Sequence, residues 1–236
     1  ATFFDCLLPK PDEVNVIFDR DHETNLPQIL YKTGLNQAFV SDSTRMLSIK
    51  SQIKGMGNVS DYIFEDFLPI VSMDAYLNNV KGTVSNVFSK AIDTVERKKY
   101  DFILIDIPCI DEVANSGSFK ETVAAIKAVD YFLPSLLQSV LGLDGVLIIT
   151  SNYGNAEKMV RRNDYEALNR RTLNPIPFIY ITNSNKKRSS SVSITSELMY
   201  DMVTKKKYLI DVAPTILELL GLPIPDKFSG HSLMTK

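Results

Sequence analysis

Short apolar runs alternate with amphipathic segments along the chain, the pattern of helices layered on a sheet. Thr2–Leu8 is the first candidate strand, followed by a polar connection through Asp19–Asn25. Pro27 suits the first turn of a short helix, Gln28–Thr33, which Gly34 ends. A strand at Gln37–Ser41, a helix at Ser43–Lys54 closed by Gly55, and a weaker strand at Tyr62–Phe64 follow.

The helix predicted over Thr83–Lys99 has the clearest pattern. Val84, Val87, Phe88, Ala91, Ile92 and Val95 recur at helical spacing and make one apolar stripe. Asp101–Ile107 (DFILIDI) is apolar at nearly every position, so it is predicted as a central strand buried on both faces. Ser118 and Glu121 have the spacing of a capping box, opening a helix to about Leu143 that is interrupted or kinked near Pro134. Gly145–Thr150 and Ile176–Ile181 are further strands, and Asn183–Ser193 a polar surface loop. The last helix spans Asp211–Leu220, with Asp211 as N-cap, Pro214 in the first turn and Gly221 past its end. No repeat or linker marks a boundary, so residues 1–236 are taken as one domain.

Composition narrows the function. Hydrophobic residues make up 44% and charged residues 23% of 236, with 26 basic against 28 acidic side chains. A net charge of −2 calls for neither nucleic acid nor an anionic membrane as partner. No apolar stretch approaches the roughly 20 residues that span a bilayer, and no signal-peptide pattern opens the sequence, so membrane insertion is not expected. Cys6 and Cys109 both sit in apolar runs and are predicted to be buried free thiols, which makes a reducing, cytoplasmic setting the default. The two histidines, His22 and His231, fall in polar segments, and Lys186–Arg188 and Lys205–Lys207 have the look of solvated loops. Ala1 in place of methionine is explained equally by methionine removal or by a fragment of a longer polypeptide.

Several segments, in order, resemble the cofactor-independent phosphoglycerate mutases of the alkaline phosphatase superfamily. Asp111-Glu112-Val113-Ala114-Asn115-Ser116-Gly117 resembles that family's D-M-V-G-H-T-G, and Thr150-Ser151-Asn152-Tyr153-Gly154-Asn155-Ala156-Glu157 its T-A-D-H-G-N-A-E. Arg171–Phe178 resembles H-T-x-N-P-V-P-F, Asp211–Pro223 the closing helix, and Leu30–Arg45, more loosely, S-K-A-G-L-K-Q-L-R-I-A-E-T-E-K. The resemblance implies a three-layer α/β/α sandwich with a mostly parallel central sheet. It also implies that residues 1–25 are a linker and strand returning from a transferase domain absent here, together with the serine nucleophile.

The family's phosphoryl transfer uses two divalent cations, usually manganese, held by carboxylates and imidazoles. Asp111 matches the first metal-binding aspartate. The histidine four residues on is Asn115, and the next aspartate–histidine pair is Asn152-Tyr153. The last histidine position is Arg171, which cannot deprotonate to become a ligand. Arg45 stands where the family has a phosphate-holding lysine. These substitutions make Asp111, Asn115, Asn152, Tyr153 and Arg171 vestigial positions. The expectation is no metal cofactor and no catalytic residue, with Arg171 paired to Asp111 where metal once sat. Arg45 and Arg171 remain as possible phosphate-binding residues.

A non-catalytic domain acting as a structural or docking component of an assembly follows. The alternative is one part of a split or fragmentary mutase of glycolysis, interconverting 3- and 2-phosphoglycerate. In the family fold the absent first strand lies beside Asp101–Ile107 and Gly145–Thr150. The partner is therefore another protein chain or the missing N-terminal part of the same polypeptide, unless Thr2–Leu8 fills the gap.

Overall fold

The computed structural model describes residues 25–42, 63–67, 71–160, 168, 171–184 and 207–234. The strand expected at Thr2–Leu8, the helix at Ser43–Lys54, Cys6, His22, Arg45 and most of the Asn183–Ser193 stretch lie outside them. The chain divides into two compact units, residues 1–33 with 187–236, and residues 34–186.

In the first unit, α1 (Leu26–Lys32) starts at Asn25, whose side chain accepts from the Gln28 amide at 3.0 Å. Pro27 tolerates the first turn because its missing N–H is one that the helix leaves unpaired there. A 3-10 turn at Leu209–Asp211 leads into α5 (Val212–Leu219). Asp211 does stand at the N-cap of α5, but its carboxylate makes no cap bond. It accepts instead from the amides of Tyr208 and His231, both at 2.8 Å, and so fastens the last segment to the turn. Gly221, at φ +70°, closes α5 with amide bonds from Gly221 to Glu218 and from Leu222 to Leu217.

The second unit holds a parallel sheet of β2 (Ile63–Phe67), β1 (Gln37–Ser41) and β3 (Phe102–Ile105), in that order. A separate antiparallel pair joins β4 (Leu147–Thr150) to β5 (Phe178–Ile181). Central β1 is buried at all five positions, as a strand flanked on both sides should be. By contrast β3 and β4 are only half-buried along their whole length, which corrects the expectation of strands buried on both faces. The residues are apolar enough; the neighbouring strand that would cover them is not among the described residues.

Helix α2 (Met73–Glu96) begins ten residues before the predicted start. Ser72 caps it, its Oγ accepting from the Ala75 amide at 3.3 Å. Asn79 then leaves helical geometry (φ −152°, ψ 60°), and its Oδ1 accepts from the Gly82 amide at 3.1 Å. Two helical pieces therefore meet at a kink, and the apolar stripe belongs to the second. Val84, Val87, Phe88, Ala91 and Val95 of that stripe are buried, and Ile92 is partly buried against the same core. Two more helices follow, α3 (Cys109–Ala114) and α4 (Phe119–Gly142). Ser118 caps α4 through the Glu121 amide, and the helix continues through Pro134 without the interruption that was one expectation there. Phe88 stacks on Phe132 at 5.8 Å, joining α2 to α4, and Cys109 and Val113 of α3 share that core.

A carboxyl group and a phenol are buried side by side among these elements. Asp42, just beyond β1, is 2% exposed, and neither of its oxygens nor the Tyr76 hydroxyl of α2 has a partner in bonding geometry. Burial pushes the Asp42 carboxyl above the usual range; Tyr76 offsets part of that, while the charges of Asp106 and Glu112 add to it. Burial likewise pushes the neighbouring Cys109 thiol up, to about 12. Between about pH 3.9 and the raised value, the unfolded state is ionised while the folded state keeps its proton. Stability attributable to Asp42 therefore falls as pH rises through that window and is lowest above it. Asp42→Asn should then add about 1–3 kcal/mol at pH 8 and much less at pH 4. Urea unfolding at the two pH values reads this directly, and an equal effect at both would refute it.

Candidate functional site

The candidate site lies beyond the carboxyl ends of β3 and β4, the end of the strands at which α/β sheets bind ligands. Pro108 occupies the N-cap position of α3, and Asp111 falls in the first turn, where the helix dipole favours a carboxylate. Cys109, Val113 and Ala114 turn into the core, leaving Asp111 and Asn115 half-buried on the remaining face.

The loop after β4 reaches this face. Ser151 Oγ donates to the Tyr153 carbonyl at 2.8 Å and shapes the turn. The Tyr153 hydroxyl donates to Asp111 Oδ2 at 2.6 Å, and Asn155 Nδ2 to Asp111 Oδ1 at 2.6 Å. The same Asn155 nitrogen also donates to Asn115 Oδ1 at 3.0 Å. Asn155 is 5% exposed, and its own Oδ1 is buried without a partner. Charge-assisted bonds of this length are roughly twice as strong as neutral ones.

A second strap holds the loop from outside. The Thr172 amide donates to the Gly154 carbonyl at 2.7 Å. Glu157 accepts from the Thr172 hydroxyl and, at 2.8 Å, from Asn174 Nδ2. Burial alone would raise the Glu157 carboxyl; hydrogen bonds from Thr172, the backbone and Asn174 outweigh it and hold the group below its usual range. A Cβ at Gly154 would collide with Thr172 Oγ1 and Glu157, so the close approach requires glycine. The strap brings Arg171 over the Tyr153 ring, with its guanidinium 4.1 Å from the centroid.

Asp111, Asn115, Tyr153 and Arg171 thus come together as a cluster. Asn152 lies in the same loop but makes no hydrogen bond to it, and Arg45 falls outside the described residues. The expected Arg171–Asp111 pair is not formed: Arg171 stacks on the ring whose hydroxyl bonds Asp111. Sequence reasoning passed over Asn155 and Glu157, although both stand in the quoted segment Thr150–Glu157. Their signal was position in that segment, since an amide carries neither charge nor imidazole.

This arrangement defines an α/β domain in which the loop after β4 closes on a carboxylate, Asp111, carried by the first turn of α3. Residues 16–224 match the Metalloenzyme superfamily, and the chain belongs to that family. It is 28% identical over 99% of its length to the 2,3-bisphosphoglycerate-independent phosphoglycerate mutase 1 of Methanosarcina acetivorans, covering 43% of that protein. To mutase 2 of Methanosarcina barkeri it is 31% identical over 91% of its length, covering 38%. The chain therefore spans about two fifths of the length of these curated relatives. A crystal structure of Leishmania mexicana phosphoglycerate mutase at low cobalt concentration superposes with a TM-score of 0.68 at 22% identity, over 86% of this chain and 38% of that one. The fold is alkaline-phosphatase-like α/β, with mixed helices and strands. Among the described residues, no helix is long and apolar enough to cross a membrane.

Family membership corrects the expectation of no cofactor. A metalloenzyme family, with cobalt named for the Leishmania mutase, points to a metal rather than to none. That expectation rested on the replacement of the family's imidazole and aspartate ligands, with the Asn115 amide oxygen taken as a poorer donor, and family membership overturns it. Asp111, the amide oxygen of Asn115 and the orphaned Asn155 Oδ1 are hard donors of the kind that small dications accept. By themselves they do not fit a pair of cations. One carboxylate is present, both its oxygens already accept hydrogen bonds, and no group of three or more His, Cys, Asp or Glu is placed to share an ion among the described residues. No chemical step is therefore derived through metal.

Proposed function

We propose that the chain is one part of a split or longer phosphoglycerate mutase, whose assembled form interconverts 3- and 2-phosphoglycerate by phosphoryl transfer. The observation that carries this reading is the convergence of two mutase-like segments on Asp111. Residues 109–117 supply the carboxylate, and residues 150–157 supply the two donors that hold it. Similarity across 99% of the chain supports the same assignment.

The residues present have definable tasks in such a site. Tyr153 and Asn155 fix the orientation of Asp111. Arg171 is exposed and stacks on Tyr153, and among the described residues no acceptor engages its guanidinium, which suits it to bind a substrate phosphate. The test mixes the purified chain with the remainder of the M. barkeri mutase that it does not match, adds manganese, and follows 2-phosphoglycerate by phosphorus NMR. Turnover is expected, with KM raised about tenfold by Arg171→Ala, the loss of one charged hydrogen bond. A stable, metal-loaded assembly without turnover overturns the mutase reading.

That result would favour a second reading, a non-catalytic structural or docking domain. One observation supports it. Asn115, Asn152, Tyr153 and Arg171 stand at the family's histidine and aspartate positions, and two of the donors facing Asp111 are protein groups.

A further inference from the structure

We infer that Glu157 is the positioning residue for Arg171, clamping the strap of residues 171–174 so that the guanidinium stands over Tyr153 ready for the phosphate group of a phosphate monoester. This rests on the reading of Arg171 as a phosphate-binding residue and names what puts it in place. The clamp converges on one atom. The Thr172 hydroxyl and Asn174 Nδ2 both donate to Glu157 Oε1, and the Asn174 amide donates to Thr172 Oγ1 at 3.3 Å. Main chain ties the same two segments, since the Thr172 amide donates to the Gly154 carbonyl at 2.7 Å. A Cβ at Gly154 would fill the space in which Thr172 Oγ1 and Glu157 Oε1 meet.

Arg171 and Tyr153 each stand one residue before a partner in that bridge, and the guanidinium carbon lies 4.1 Å from the ring centroid. Contact with a ring face consumes no hydrogen bond, so the N–H donors of Arg171 remain for a ligand. An exposed arginine on an unclamped strap gives up its rotamer freedom at each binding event; one already held over a ring gives up less. Charge makes the role testable by sign. The Glu157 carboxylate by itself repels a phosphate, so its removal, acting through Coulomb forces alone, tightens anion binding slightly. Removal of a clamp weakens binding instead. Both bonds from the strap reach one oxygen, so a glutamine at this position keeps an acceptor while losing the charge.

The test is calorimetric titration of the full 236-residue chain with 3-phosphoglycerate. Arg171→Ala should weaken binding about tenfold, which sets the ceiling for any residue that acts through it. Glu157→Ala should weaken binding about fivefold, but by less than about twofold where Arg171 is already alanine. Glu157→Gln should bind within about twofold of the unaltered chain. Thr172→Val removes the hydroxyl, keeps the backbone bridge and leaves the charge unchanged; it should weaken binding about threefold. Urea unfolding checks that each variant is folded, and Thr172→Val decides the matter where Glu157→Ala is not. Equal or tighter binding by Glu157→Ala overturns the inference, as does an undiminished loss in the Arg171→Ala background. So does an unaltered chain that binds no 3-phosphoglycerate at millimolar concentration. Turnover is not read: an assembly that binds phosphoglycerate without interconverting it ends the mutase reading and leaves the clamp standing.

Discussion

Asp111→Ala is expected to destabilise the second unit by about 2–4 kcal/mol, the range for losing two hydrogen bonds to a charged acceptor in a half-buried site. The carboxylate joins two pieces of chain more than 40 positions apart. Removing it strands the Tyr153 hydroxyl and one bond of Asn155 Nδ2, while the Asn155–Asn115 contact survives. Tyr153→Phe deletes only one donor and should cost less, about 1–2 kcal/mol. The double variant then separates the bond from the rest of each side chain. A coupling of at least about 1 kcal/mol between the two positions is expected. Urea unfolding of the four proteins supplies all the terms. Additive effects would show that the 2.6 Å contact does not hold the loop, and that the strap through Thr172 and Glu157 does so alone.

Much of the fold was readable because it depends on local pattern. The stripe from Val84 to Val95 marked the second half of α2 correctly, and Ser118 marked the start of α4. The first half of α2 was missed because Asn79 breaks helical geometry, which no hydrophobic period reports. Pro134 stands inside α4 without interrupting it. Its ring forfeits one bond, yet packing of α4 on α2 keeps the helix continuous through it. Burial was the least readable quantity. DFILIDI looks central to a sheet, but whether it is covered depends on a neighbour that its own residues do not encode. At the candidate site, motif order placed Asp111, Asn115, Tyr153 and Arg171 near one another. It could not show which atoms meet, because stacking of Arg171 on Tyr153 depends on the Gly154–Thr172 bridge. The cofactor was not legible from the ligand positions, where Asn115, Tyr153 and Arg171 replace imidazoles; membership of a metalloenzyme family is what points to metal.

Phe88→Ala is expected to have the largest effect on stability, about 3–5 kcal/mol, the usual cost of emptying a buried phenyl site. Phe88 is 1% exposed and stacks on Phe132, so alanine leaves a void between α2 and α4 and removes one ring of the pair. Phe88→Leu keeps most of the volume and should cost less than about 1.5 kcal/mol. The same core holds Cys109 and Val113 of α3, the helix that presents Asp111. Core and site are nevertheless joined through backbone rather than shared side-chain partners. Phe88→Ala and Tyr153→Phe should therefore add to within about 0.5 kcal/mol, measured by urea unfolding of the two single variants and the double. A departure beyond about 1 kcal/mol would mean that α3 shifts when the core is emptied, and that the placement of Asp111 is set by packing at Phe88 as much as by the donors of Tyr153 and Asn155.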